Sequence, residues 1–306
     1  MWALALRRII SAVISIWIVL TLIFGLIHLS GDPIDVLAPP EMNQIDREAM
    51  RSHLGLDQPL HVQYGRFLQG LTKGDLGVSY YSKTSAFPMV AERFPVTLKL
   101  VLLSVVIAVG FSIPFGVFAA VYVNSPLDHV LRWLSVLGSS VPTFFLGILL
   151  IFLFSVELKW LPSSGIGSFS HYILPAFTLA FFRIALFTRM IRASLLDVLD
   201  SDYVRTARAK GLNERVVVLK HALRTALIPF VTVFGLQFGQ LLAGAVVTET
   251  IFAIPGMNSL ALSSLYRLDY PIILSYIAIV AILFNVINAL VDLAYGLVDP
   301  RVRNER

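Results

Sequence analysis

Six stretches of this chain stay apolar for about twenty residues at a time, and they limit its fold more than any other feature. They are Ile9–Leu29, Leu100–Val123, Trp133–Val156, Tyr172–Ile191, Thr225–Thr248 and Tyr270–Val291. At the helical rise, twenty residues cover about 30 Å, the thickness of a bilayer's hydrocarbon core. Composition agrees: 57% of the 306 residues are hydrophobic and only 14% are charged, against about 25% charged in an ordinary globular domain. The expectation is an all-α, polytopic membrane protein with six transmembrane helices. Cysteine is absent, which excludes disulfides, thiolate zinc sites and iron–sulfur ligation.

The first run follows Arg7 and Arg8 and is too long for the apolar region of a signal peptide. The residues after it, Ile27-His28-Leu29-Ser30-Gly31, offer no good cleavage site. It reads as an uncleaved span. Residues 30–95 are polar. Asn43–Leu54 suits a short helix, and Leu60, Tyr64, Phe67, Leu68 and Leu71 form the stripe of an amphipathic one that Gly74 is placed to end. This region reads as a small cap packed on the membrane part, a role compatible with docking an external partner. The linear division expected is a transmembrane helix over 1–29, an extracytoplasmic cap over 30–95 and a five-helix core over 96–306 with a cytoplasmic loop at 194–228.

Short loops set the orientation. With the N-terminus inside, the inner side holds Arg7, Arg8, Arg132, Arg189, Arg192, Arg205, Arg208, Lys210, Arg215, Lys220, Arg224, Arg301, Arg303 and Arg306. The short outer loops hold only Lys159 and Arg267. Both termini are therefore expected in the cytoplasm, along with the basic stretch Ser201–Pro229. Within that stretch Ser201 or Asp202 can cap a helix over Tyr203–Lys210. Gly211 stops it with a positive φ, and Asn213 can cap the next helix. On that second helix Val216, Leu219, Leu223, Ala226 and Phe230 share one face at α-helical spacing.

Thr206-Ala207-Arg208-Ala209-Lys210-Gly211, followed by His221-Ala222-Leu223-Arg224-Thr225-Ala226-Leu227-Ile228-Pro229, resembles the EAA loop of ABC importer permeases, and most closely the peptide/nickel branch. Leu54-Gly55-Leu56-Asp57-Gln58-Pro59-Leu60, Gly74-Asp75-Leu76-Gly77, Trp160-Leu161-Pro162, Glu249-Thr250-Ile251-Phe252-Ala253-Ile254-Pro255-Gly256 and Asp299-Pro300-Arg301 fit the same branch in order. Thr206 stands where the broader pattern has Glu, and the distal proline is delayed to Pro229; both departures look typical of the branch. The resemblance implies a type I ABC importer permease in a bacterial or archaeal cytoplasmic (inner) membrane. It also implies a second homologous permease, two cytoplasmic ATPase subunits and an extracytoplasmic substrate-binding protein. ATP and Mg would belong to the ATPases, since this chain has no G-x-x-x-x-G-K-[ST] phosphate loop; it carries no cofactor of its own and is not an enzyme. Tyr203, Arg205, Thr206, Ala207, Arg208, Ala209, Lys210 and Gly211 are the implied ATPase-coupling residues. Di- or oligopeptides are the expected cargo, with nickel chelates or glutathione as alternatives.

Polar residues inside the spans are candidates for the substrate pathway. Gln237 and Gln240 lie near the middle of the fifth span. Glu249, at its outer end, suits either an outer gate or a plain interfacial carboxylate. Arg183 would cost about 2.5–3.5 kcal/mol at a helix centre on insertion scales. It either snorkels to the inner surface, pairs with a buried acid such as Asp292, or contacts substrate. Asn285 and Asn288 suit hydrogen bonds between helices. An ion-coupled secondary transporter would need acids within the spans and broken repeats, which are missing. Ser139, Ser140, Ser163, Ser164 and His171 form no protease constellation, there is no metal motif, and topology explains the basic segment without nucleic acid.

Overall fold

The computed structural model describes residues 2–39 and 41–298, with side chains for 10–29, 31–39 and 41–290. Asp292, Arg7, Arg8 and the motif Asp299-Pro300-Arg301 thus have side chains outside the described residues. In chain order the helices are α1 (Trp2–Ser30), α2 (Pro33–Leu37), α3 (Gln44–His53), α4 (Leu60–Lys73), α5 (Ala86–Val121), α6 (Pro126–Ser140) and α7 (Thr143–Leu150). A π-helical segment, Ile151–Glu157, extends α7. There follow α8 (Ser170–Leu199), α9 (Asp202–Ala209), α10 (Glu214–Val216), a second π-helical segment Val217–Ala222, α11 (Leu223–Ile251), α12 (Met257–Tyr266) and α13 (Tyr270–Val298). Two compact units result: Met1–Thr97 with Pro255–Val286, and Leu98–Ile254 with Ile287–Arg306.

In the first unit the cap is built from short, well-capped helices. Asn43 accepts from the Asp46 amide at the start of α3, and Asp32 accepts from Ile34 at the start of α2 while pairing with Arg51. Gly74 closes α4 with φ +70°. The amphipathic stripe of α4 lies where its spacing places it. Phe67 is buried, and Tyr64, Leu68 and Leu71 pack with it against Leu20, Phe24 and Ile27 of α1 and Ile273 and Leu274 of α13. Only Leu60 departs, standing exposed at the first turn. A fully buried side chain of this kind contributes about 1.5–3 kcal/mol, so the cap is held by its own core. Asp269, just before α13, accepts from Ser79 Oγ at 2.6 Å and from the Tyr80 amide at 3.1 Å. Burial pushes the Tyr80 phenol upward, and the Asp269 carboxylate adds to the shift.

In the second unit α8 is the central helix, and small residues let its neighbours approach. A Cβ on Gly138 of α6 would stand 2.6 Å from the Ala185 Cβ, and one on Gly116 of α5 2.7 Å from the Ile191 side chain. Such contacts replace the hydrophobic drive that lipid cannot provide between helices. Phe187 of α8 meets Phe230 of α11 edge-on at 5.1 Å, and Phe230 stacks on Phe234.

The third apolar run is not one continuous helix. It breaks at Val141-Pro142 into α6 and the α7 segment, bent by 109°. Pro142 disfavours the helical region for the residue before it, and Val141 is extended at φ −82°, ψ 121°. Among the described residues, five helices are therefore long and apolar enough to cross a membrane, or six if the bent pair counts as one span.

Candidate functional site

The basic stretch becomes two helices joined at Gly211. Ser201 is the N-cap of α9 by backbone conformation, but its hydroxyl bonds back to the Val198 carbonyl instead of capping the helix as the sequence suggests. Asn213 does cap α10, accepting from the Arg215 amide at 3.0 Å. Gly211 has φ +78°, and nothing lies within 4 Å of a Cβ built on it. What confines this position to glycine is therefore its backbone conformation, not lack of room.

Helix α9 has an inner and an outer face. Val204 and Ala207 are buried with Leu195, Val217, Val218 and Ala222. Ala207, one of the implied coupling residues, is thus part of the support beneath the helix. Tyr203, Arg205, Thr206, Ala209, Lys210 and Gly211 are exposed. Tyr203 donates to Thr225 Oγ1 at 3.1 Å, and Thr206 bonds to the Asp202 carbonyl. Arg208 is not a free charge. It grips Glu214 through Nη2 at 2.7 Å and Nε at 3.1 Å, and that hydrogen bond raises its already high pKa further. The pair closes the turn around Gly211.

The face expected for the second helix holds at Ala226 and Phe230, which are buried, and is corrected in its first turns. Val216 and Leu219 are exposed, whereas Val217, Val218, Ala222 and Ala226 are buried. The cause is the π-helical segment: i→i+5 bonding widens the turn, so residues four or five apart share a face. Leu212, Val216 and Leu219 are left as exposed apolar residues beside the basic Lys210, Arg215 and Lys220.

A second feature was not read from the sequence. Asp128, completely buried near the start of α6, accepts from Arg192 Nε at 2.8 Å and Nη2 at 3.0 Å and from the Asn124 amide, with Arg132 at 3.5 Å. The available signal was Ser125-Pro126-Leu127-Asp128, a helix-start pattern in which Ser125 caps the Asp128 amide.

The pathway candidates fall into two settings. Glu249 is completely buried and engaged with its surroundings, so it is not an interfacial carboxylate facing water. Gln237, Gln240 and Gly244 fall at i, i+3 and i+7 on one face of α11. Gln240 is exposed, and the buried Gln237 Oε1 has no partner among the described residues. Arg183 of α8 joins this stripe, its Nη2 3.9 Å from where a Gly244 Cβ would stand. Arg183 does not snorkel inward: it leans towards its helix's N-terminus, where Nη1 donates to the Leu179 carbonyl at 3.1 Å. Asn285 donates to the Ala281 carbonyl of its own helix.

The chain matches the family described as "Binding-protein-dependent transport system inner membrane component" over residues 112–304, and the corresponding N-terminal component over residues 1–101. It is 44% identical over 299 residues to the glutathione transport system permease protein GsiC of Escherichia coli (strain K12), covering 97% of this chain and 98% of that one. The GsiC protein of Salmonella paratyphi A is 43% identical over the same coverage. Among solved structures, the inward-facing MetNI methionine ABC transporter aligns at TM-score 0.58 and 18% identity, over 69% of this chain and 96% of that one. An amino acid ABC transporter with histidines aligns at TM-score 0.54 and 16% identity, over 68% and 94%; both speak to the fold alone. The chain belongs to the inner-membrane components of binding-protein-dependent transport systems: it is the permease subunit of an ABC importer. ATPase activity lies in partner subunits, and an extracytoplasmic binding protein delivers the cargo.

Proposed function

We propose that this permease pairs with a second homologous permease, receives the stroke of the two ATPases on the outer face of α9, and passes short peptides along the polar face of α11. The observation that carries the coupling role is the two-faced build of α9. Val204 and Ala207 root it in the second unit, while Arg205, Thr206, Ala209 and Lys210 stand outward with no core of their own to cover. Gly211 and the Arg208–Glu214 pair fix its angle to the next helix, so a push on α9 is passed to α11 and not absorbed in a loose turn. ATP and Mg act in the ATPases. Such a stroke switches the permease pair between two packings.

Similarity to the GsiC proteins makes glutathione the first cargo to test within the peptide class. Because the chain has no cysteine, single cysteines report cleanly. A cysteine at Thr206 should cross-link to an ATPase subunit in the assembled complex, and one at the buried Val204 should not. Uptake of labelled glutathione, dipeptides and a nickel chelate by cells lacking and then regaining the chain tests the cargo. Import of the nickel chelate alone would overturn the peptide reading.

A further inference from the structure

We propose that Arg183 is a carboxylate-binding station in the translocation pathway, holding one carboxylate of the cargo through the Nη2 end of its guanidinium. This rests on the reading that the chain passes short peptides along α11.

The guanidinium is always charged, and it sits about 20 Å along α8 from Ser170 at the helical rise. Its residue is only 8% exposed. Nη1 makes its one hydrogen bond, Nε is buried with none, and no carboxylate lies within ion-pair reach among the described residues. The Phe182 ring, 6.0 Å away, is a marginal cation–π partner. A permanent structural arginine on this helix is treated otherwise: Arg192 is given the built-in carboxylate of Asp128.

Nη2 is the end of Arg183 that is not enclosed. Nη2 lies against Gly244, which has no side chain to fill the gap and is itself exposed. One turn away stands the exposed Gln240, and two turns away the unpartnered Gln237 Oε1. A carboxylate there accepts charge-assisted N–H bonds from Nη2, which are shorter and stronger than neutral ones. The glutamines then offer neutral donors and acceptors to the peptide's amides. The station selects for an acid and disfavours a cargo that is neutral or cationic at that end.

The test uses the complete complex in proteoliposomes with its binding protein. The cargoes are glutathione and glutathione with both carboxylates converted to carboxamides, each first shown to load the binding protein. Arg183→Gln should lower glutathione turnover about tenfold, the scale of a lost charge-assisted pair, while Arg183→Lys, which keeps the charge without the planar donor set, falls between that variant and the unaltered complex. Carboxamide turnover and the thermal unfolding midpoint of the complex should not change with Arg183→Gln. Full glutathione turnover in Arg183→Gln overturns the inference and leaves the peptide-permease reading intact. An equal loss with both cargoes, accompanied by a lower unfolding midpoint, also overturns it and assigns Arg183 to a permanent partner such as the second permease's carboxylate. Failure of the unaltered complex to import any peptide acid overturns both readings together.

Discussion

Two regions of the second unit handle an arginine on the same helix in opposite ways. Near the end of α8 assigned to the cytoplasm, Arg192 makes two hydrogen bonds to Asp128, a residue with no exposed surface. Nine residues earlier, Arg183 has one carbonyl, an empty Nε and a glycine facing it. Where a charge holds helices together, the chain supplies its counter-charge and saturates it. Where a charge borders the polar face of α11, no counter-charge stands within ion-pair reach among the described residues. The two arginines thus differ in whether a carboxylate meets them among the described residues.

The strongest way to break this contrast is Asp128→Asn. Removing one partner of a buried pair costs about 3–5 kcal/mol, and because Arg192 keeps one-fifth of its side-chain exposure a loss near about 3 kcal/mol is expected. Thermal unfolding in detergent should show it, and Asp128→Asn with Arg192→Gln together should lose less than the two singles added.

Next in size is Gly211→Val. A side chain in the left-handed region costs about 1–2 kcal/mol, so the variant should insert and assemble but hydrolyse more ATP per molecule imported. Gly211→Asn, which tolerates that region, should show less; equal effects from both would mean that bulk matters and not φ. Smaller still is Arg208→Gln, whose pair with Glu214 is about half exposed. Its effect on stability should stay within about 0.2–1 kcal/mol and shrink at high salt. The smallest is Arg183→Gln, with no loss in unfolding midpoint; a loss like that of Asp128→Asn would erase the difference between the two arginines.

Much of this was legible residue by residue. The apolar runs located the membrane helices because length and composition alone decide what lipid accepts. The stripe of α4 found its core, and Asn213 and Gly211 took their assigned places, because caps and positive φ are local requirements. Ser201 did not cap through its side chain, since the Val198 carbonyl competed for the hydroxyl. The face of the second helix was misread because a π-helical turn is set by how Val217, Val218 and Ala222 settle into the core beneath α9, and periodicity assumes α-helical spacing throughout. The run through Pro142 was read as one span because its apolar count is unbroken, although the proline bends it.

By itself the sequence determined the membrane class, the helical content, the basic segment over 201–229 and the family, all of which follow from composition, period and ordered motifs. Only the tertiary structure decided which charges are paired. Arg183 and Arg192 are alike as letters, and Asp128 lies 64 positions from Arg192, a separation no local pattern spans. Whether a buried guanidinium finds a carboxylate depends on which helix face packs opposite it, and that is fixed by glycine contacts such as Gly138 on Ala185, not by the residue's own neighbours in the chain.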